Sequence, residues 1–355
     1  MTIAVAAITK HGISIARKIK EMMPEVDIYA PAKHADNDAV EVNYFAEQTT
    51  QKIAKLFKSY DALVCIFSLG ATIRIIAPLL ADKKSDPAVL VIDDKANFVI
   101  STLSGHIGGA NELTLKIASL FPNSQAVITT AADVNKTISV DLLGKEFGWV
   151  IENYENVTKV SAIMVNEEPI AVYQETGEKN RWLTQTVPKN VTVVKSLNEV
   201  KSPTFKGALI ISDRVINDRA VLEKSVIYRP KSLVLGIGLH WDTSKDMIEY
   251  GVMTTLKNKE LSLKSIRNIS SISNKTGIKT LRDFSDQHQI PLEFFDRDQL
   301  SLIKVPNPSP TVEKYEGTAS VSEASAILSS KGEIVVPKEK FTPNLTIAVA
   351  RVKFE

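Results

Sequence analysis

A β-branched run that gives way, through glycines, to a helical repeat admits few arrangements besides a strand–turn–helix unit. Residues 98–120 form such a junction. Phe98-Val99-Ile100 reads as a strand, and Leu113, Ile117 and Leu120 recur at helical spacing. Ser101-Thr102-Leu103-Ser104-Gly105-His106-Ile107-Gly108-Gly109-Ala110-Asn111-Glu112 joins them. Glycines at such a turn let backbone N–H groups approach a ligand, and the following helix N-terminus favours negative charge. His106 adds an imidazole, the side chain suited to exchanging protons near neutral pH. An acyl or anionic substrate would meet a base and N–H donors together. A Gly-rich turn is also a plain connection in many α/β proteins, so chemistry must be argued from the site.

The alternation runs through the first third of the chain. Ile3 to Ile8, Val26 to Tyr29, Ala62 to Phe67, Ala88 to Ile92 and Ala126 to Thr130 are strand candidates. Gly12 opens a helix marked by Ile15, Ile19 and Met22, and Ile53, Leu56 and Phe57 mark another. Asp93-Asp94-Lys95-Ala96-Asn97 is a turn between two strands. The pattern predicts an N-terminal α/β domain over residues 1–132, a mainly parallel sheet with flanking helices and ligands at its carboxyl edge.

From 133 to 230 the pattern loosens into short strands, Ile170–Gln174, Val191–Val194, Gly207–Ile211 and Ser225–Tyr228, and predicts a small α+β middle domain. Residues 175–181 read as an exposed loop. After the linker candidate Arg229-Pro230-Lys231-Ser232, Leu233 to Gly238 restarts a strand. Thr243 with Asp246, and Ser320 with Glu323, have the spacing of capping boxes. The strands Glu333 to Val336 and Leu345 to Val352 close a separate C-terminal α/β domain over 231–355. The expected fold is therefore a multi-domain α/β protein.

A length of 355 residues exceeds one compact core. Lys and Arg number 43 against 41 Asp and Glu, a net charge of +2, which argues against a nucleic-acid binder. No apolar stretch reaches membrane-spanning length and no cationic leader precedes the first strand, so a cytoplasmic protein is expected. Cys65 is the single cysteine, so an intrachain disulfide is excluded, and Leu63-Val64-Cys65-Ile66-Phe67 reads as housing an inert buried thiol. His11, His34 and His288 lack metal-ligand spacing, and no protein-bound metal is expected.

Further candidates follow other strands. Gly70 sits where a strand turns into a helix, and Arg74, one turn later, carries a planar fork for a carboxylate. Thr129, Thr130 and Asp133 leave the last strand as polar ligands. In a parallel sheet all these turns share one edge, so Gly70 and the Gly105–Asn111 segment would line one cleft. Gly236-Ile237-Gly238-Leu239-His240-Trp241 lacks the third glycine of a dinucleotide fingerprint. His240 and Trp241 would present an imidazole and a flat face to a large ring.

Together these segments resemble the CbiG family of anaerobic cobalamin biosynthesis, the cobalt-precorrin-5A hydrolases. The resemblance rests on Ile73-Arg74-Ile75-Ile76-Ala77-Pro78-Leu79-Leu80, Asp86-Pro87-Ala88-Val89, Ser104-Gly105-His106-Ile107-Gly108-Gly109-Ala110-Asn111 and Ile128-Thr129-Thr130-Ala131-Ala132-Asp133-Val134. Gly236-Ile237-Gly238, Gly317-Thr318-Ala319-Ser320-Val321-Ser322-Glu323-Ala324 and Thr346-Ile347-Ala348-Val349-Ala350-Arg351 are similar to the C-terminal domain shared with CobE proteins. The chain departs from the family at Leu69, where threonine is frequent, and at Leu239 and His240, where cysteine and arginine are.

The resemblance implies hydrolysis of the ring-A acetate δ-lactone of cobalt-precorrin-5A and loss of the C20 fragment as acetaldehyde. His106 would be the general acid or base, with Gly108 and Gly109 supplying oxyanion N–H donors. Gly70, Arg74, Ser104, Asn111, Thr129, Thr130, Asp133 and His240 would bind the polyanionic substrate. No cofactor is implied, since the substrate carries the cobalt. A homodimer and transient contact with neighbouring methyltransferases are compatible with it; nucleic acid and membrane are not implied. Two other readings stay open, a non-catalytic tetrapyrrole carrier and a nucleotide- or sugar-phosphate-binding enzyme.

Overall fold

All five residues of the strand Ile3–Ala7 (β1) are buried, which requires cover on both faces of its sheet. The computed structural model describes residues 1–36, 40–82, 85–106, 108–130, 137–178 and 187–354, in two compact units, Met1–Leu142 and Leu143–Glu355. In the first unit, β1 is joined by β2 (Val26–Pro31), β3 (Asn43–Phe45), β4 (Ala62–Ile66), β5 (Ala88–Ile92), β6 (Phe98–Leu103) and β7 (Gln125–Val127). Their order is β3-β2-β1-β4-β5-β6-β7. The connecting helices are α1 (Lys10–Met22), α2 (Thr49–Ser59), α3 (Leu69–Ile76) and α4 (Ala110–Ala118).

Strand alternation sorts the helices. Ile3, Val5 and Ala7 pack with Ile13 and Ile19 of α1, in a cluster that continues to Leu113 and Ile117 of α4. Ala4 and Ala6 pack on the other face with Ile53, Leu56 and Phe57 of α2 and Ile76 of α3. Cys65 is fully buried there, and burial pushes its thiol up to about 12, as an inert core residue requires.

One expectation fails. β1 to β5 are mutually parallel, but β6 runs antiparallel to β5, pairing Leu103 with Val89 and Val99 with Ile92. β7 is parallel to β6. The cause is the turn Asp93–Asn97, because parallel strands need a crossover of roughly a dozen residues. Asp93 holds this turn, its carboxylate accepting N–H bonds from Phe98 at 2.6 Å and Lys95 at 3.2 Å. The ends of β6 and β7 therefore emerge beside the first residues of β5. Gly70 and Arg74 leave the end of β4, at the opposite edge, on a helix that covers the opposite face from α4. The shared cleft expected for Gly70 and the Gly105–Asn111 segment does not exist.

The second unit holds two five-stranded sheets. The first contains β8 (Val150–Ile151), β9 (Ile170–Gln174), β10 (Val191–Val194), β11 (Gly207–Ile211) and β12 (Ser225–Arg229), ordered β10-β9-β11-β12-β8, with β8 alone antiparallel. The second contains β13 (Leu233–Leu239), β14 (Ile266–Ile272), β15 (Leu292–Phe295), β16 (Glu333–Phe341) and β17 (Leu345–Arg351), ordered β15-β14-β13-β17-β16. The segment expected as an exposed loop turns inward, since Thr176 and Gly177 are buried and Glu178 accepts the Trp149 indole N–H at 2.7 Å. Residues 179–181 lie outside the described residues.

Local chemistry in the last sheet also differs from expectation in two places. A Cβ on Gly236 would lie 1.8 Å from the Ser322 carbonyl, so this glycine lets the helix Val321–Ser330 lie against β13. Ser244, not Thr243, caps the helix Lys245–Asn258, accepting the Met247 N–H at 3.2 Å. Thr243 instead ties His240 N–H to the Asn344 carbonyl. Among the described residues no helix is long and apolar enough to cross a membrane.

The two sheets are clamped by residues 212–215. Asp213, fully buried, accepts two 2.9 Å bonds from Arg351 and one from Ser232. Its carbonyl takes the Ser262 N–H, and Arg214 bridges Leu261. Replacing Arg351 by Met would strand a buried carboxylate and should cost about 3 kcal/mol of stability. Urea unfolding of the purified variant measures this; a loss under about 1 kcal/mol would mean that the clamp carries little.

Candidate active site

The loop after β6 is shaped by successive backbone demands. Ser104 adopts a left-handed conformation (φ +54°) and donates its hydroxyl to the Asp86 carbonyl at 2.9 Å. A Cβ on Gly105 would stand 2.7 Å from Asn111 Oδ1, and one on Gly108 only 2.5 Å from Ser104 Cβ. Gly109 has φ +84° and immediately precedes α4. These glycines are required by close approach and by handedness.

Asn111 fixes the helix start to both neighbouring strands. Its Oδ1 accepts the Ser101 hydroxyl at 2.6 Å, and its Nδ2 donates to Thr130 Oγ1 at 3.0 Å. It is 7% exposed, so its work is to hold Thr130 beside the loop rather than to meet a ligand. Ser104, His106, Asn111, Thr129 and Thr130 thus gather at one sheet edge, as the ends of the parallel pair β6 and β7 dictate. Asp133 lies outside the described residues.

His106 lines a cleft of about 540 Å3 with Gly109, Glu112, Leu115, Ile128 and Leu142. Its Nδ1 lies 3.6 Å from Asp141 Oδ1, with the two side chains 14% and 18% exposed. The pair is shielded enough for its mutual field to matter and open enough to be reached. A carboxylate on the Nδ1 side favours the tautomer protonated there and leaves Nε2 as the base. Asp141 was missed in the sequence, although an acid inside Ile138-Ser139-Val140-Asp141-Leu142-Leu143 is unusual enough to have marked it.

The oxyanion assignment needs correction. The Gly109 N–H donates to the His106 carbonyl at 3.1 Å, that of Ala110 to Ser104 at 3.2 Å and that of Asn111 to Gly105 at 2.9 Å. The loop satisfies its own donors, so Gly109 contributes conformation rather than an N–H. Gly108 faces a different, polar cavity with Asp61, Asp86 and Lys58. Glu112, in the first turn of α4 and on the His106 cleft, has an N–H with no acceptor recorded among the described residues.

The remaining candidates lie elsewhere. Gly70 and Arg74 are exposed on α3, away from His106. His240 belongs to the second unit, where it lines a cavity of about 230 Å3 at the end of β13.

The fold and this pair define an α/β protein with an acid–base centre at a sheet edge. Three family profiles match it: Cobalamin synthesis G N-terminal over residues 51–133, Cobalamin biosynthesis central region over 138–230 and Cobalamin synthesis G C-terminus over 233–350. The chain is 43% identical to the cobalt-precorrin-5A hydrolase of Priestia megaterium, covering 99% of this chain and 95% of that one. It is 28% identical to the enzyme of the same name from Salmonella typhimurium, over 94% and 93% of the two chains. A crystal structure of CobE, a protein from the cobalamin biosynthetic pathway, aligns with 35% of this chain and 93% of its own at 24% identity and a TM-score of 0.39 or less, namely 0.33. The chain belongs to the CbiG family.

Gly108→Ala should destabilise the first unit by about 2 kcal/mol or more, because the methyl meets backbone and Cβ atoms of Ser104. Gly109→Ala has open space and pays only for handedness, about 1 kcal/mol. Chemical unfolding of both variants orders them; equal losses would contradict this account of the loop.

Proposed function

We propose that this chain is a cobalt-precorrin-5A hydrolase, opening the ring-A acetate δ-lactone and releasing the C20 fragment as acetaldehyde to give cobalt-precorrin-5B. The observation that carries the reading is the near-full-length likeness to a named hydrolase of that substrate. The His106–Asp141 pair in an accessible cleft supplies a fitting acid–base group.

In this reading His106 Nε2 takes a proton from water as the oxygen adds to the lactone carbonyl. Asp141 holds the imidazole in its tautomer and stabilises the cation that forms, a positioning role. The Glu112 N–H and the Thr130 hydroxyl are the nearby donors for the tetrahedral oxyanion. Collapse breaks the ester C–O bond, and the imidazolium returns its proton to the departing oxygen on C20. That oxygen then becomes the aldehyde carbonyl as the bond from C20 to the macrocycle breaks, its electron pair passing into the conjugated ring.

Cobalt is substrate-borne, and the hydrolytic step asks for no cofactor of the protein's own. Arg74, on the far edge, has no place in this cleft. A cytoplasmic setting, and handing of the product to a methyltransferase, belong to the same proposal.

His106→Ala should lower acetaldehyde release by about a hundredfold or more with little change in KM. Asp141→Asn should lower kcat less severely and shift the pH–rate profile, since the base loses its orienting charge. Headspace assay of acetaldehyde from cobalt-precorrin-5A measures both; wild-type release by His106→Ala would remove the residue from the mechanism.

A further inference from the structure

The C-terminal sheet carries a second built cavity that the lactone chemistry leaves unused. Two adjoining spaces, of about 230 and 630 Å3, share His240, Lys275, Val312 and Glu316. The inner one is walled by apolar side chains, among them Leu239, Val321 and Phe341, and receives Lys338 and Lys340 from β16. The outer one is bordered by Trp241 and Tyr315, which are 63% and 70% exposed. Aromatic faces this open, beside a cavity of ligand size, suit a flat partner.

The charges lean one way. Lys275 is neutralised by Glu316 at 3.2 Å and lies 5.4 Å from the centre of the Trp241 ring. Asn274 and Lys275 hold the Glu316 carboxyl below its usual range against the opposing effect of burial, so this acid stays committed to them. Neither Lys338 nor Lys340 has a carboxylate within ion-pair distance among the described residues. Burial pushes the Lys338 ammonium down, and an anion brought into the cavity would relieve that cost.

We propose that this cavity is a recognition site for a flat, conjugated polycarboxylate, with carboxylate arms at Lys338 and Lys340 and the ring against Trp241 and Tyr315. The identification of that ligand class as a tetrapyrrole rests on the proposed function. The site itself stands on the C-terminal sheet alone, distinct from the His106 cleft. It gives His240, which the first unit's chemistry does not use, a place on the wall of a ligand cavity.

The test is titration of the full-length chain with uroporphyrin, a metal-free octacarboxylate without a lactone, following porphyrin absorbance and tryptophan quenching. Lys340→Glu should weaken binding by about tenfold or more. Lys257→Glu, also exposed in this unit but on the helix Lys245–Asn258, should stay within about twofold. Trp241→Phe should remove most of the quenching while saturable binding persists. Equal weakening by both lysine variants would reveal bulk charge only and overturn the proposal, as would wild-type affinity in Lys340→Glu. His106→Ala should bind uroporphyrin normally. If it also released acetaldehyde normally the catalytic reading would fail while this one stood, so the two failures are distinguishable.

Discussion

The first unit depends on a short reversal of the chain. The Asp93 carboxylate gathers the N–H groups of Lys95 and Phe98 and turns β6 back along β5. Without that hairpin, the Gly-His loop would leave the sheet at the carboxyl edge, beside Gly70. With it, the loop emerges at the amino edge of the parallel strands, over Asp86, and meets Asn111, Thr130 and Asp141. The position of the candidate base is thus set by a surface turn several residues before it.

The loop itself is built around internal satisfaction. Three successive amides, from Gly109 to Asn111, are spent on carbonyls of Ser104, Gly105 and His106. This fixes the histidine backbone rigidly and removes those donors from any ligand. The electrostatic work is carried instead by a side-chain pair reached from opposite directions, His106 from the turn and Asp141 from the segment following β7. The second unit uses buried charge differently. Arg351 and Asp213 join its two sheets, and Arg229, 1% exposed, donates to the Ser212 carbonyl at 2.8 Å.

Much of this was legible beforehand. Strand runs such as Ala88–Ile92 and the helical spacing of Leu113 and Ile117 mark elements that formed, because burial on both faces leaves few alternatives. The turn at Asp93–Asn97 was visible too, but its consequence, antiparallel pairing, follows only once its length is weighed against a crossover. Thr176 and Gly177 read as polar loop residues because Pro230 and Trp149, which enclose Gly177, lie far away in sequence. The commitment of Gly109 N–H was similarly hidden, since hydrogen-bond direction within a loop leaves no mark in composition. Asp141 was present as a lone acid in an apolar stretch, but only the fold brings it to His106.

Attack of water at the lactone carbonyl is the central claim, and isotope tracing tests it most directly. Turnover of cobalt-precorrin-5A in oxygen-18 water, with mass analysis of the macrocycle, should place one heavy oxygen in the ring-A acetate. Loss of the C20 fragment with an unlabelled acetate would mean that the bond between C20 and oxygen breaks instead, and acyl hydrolysis by a histidine base would be contradicted.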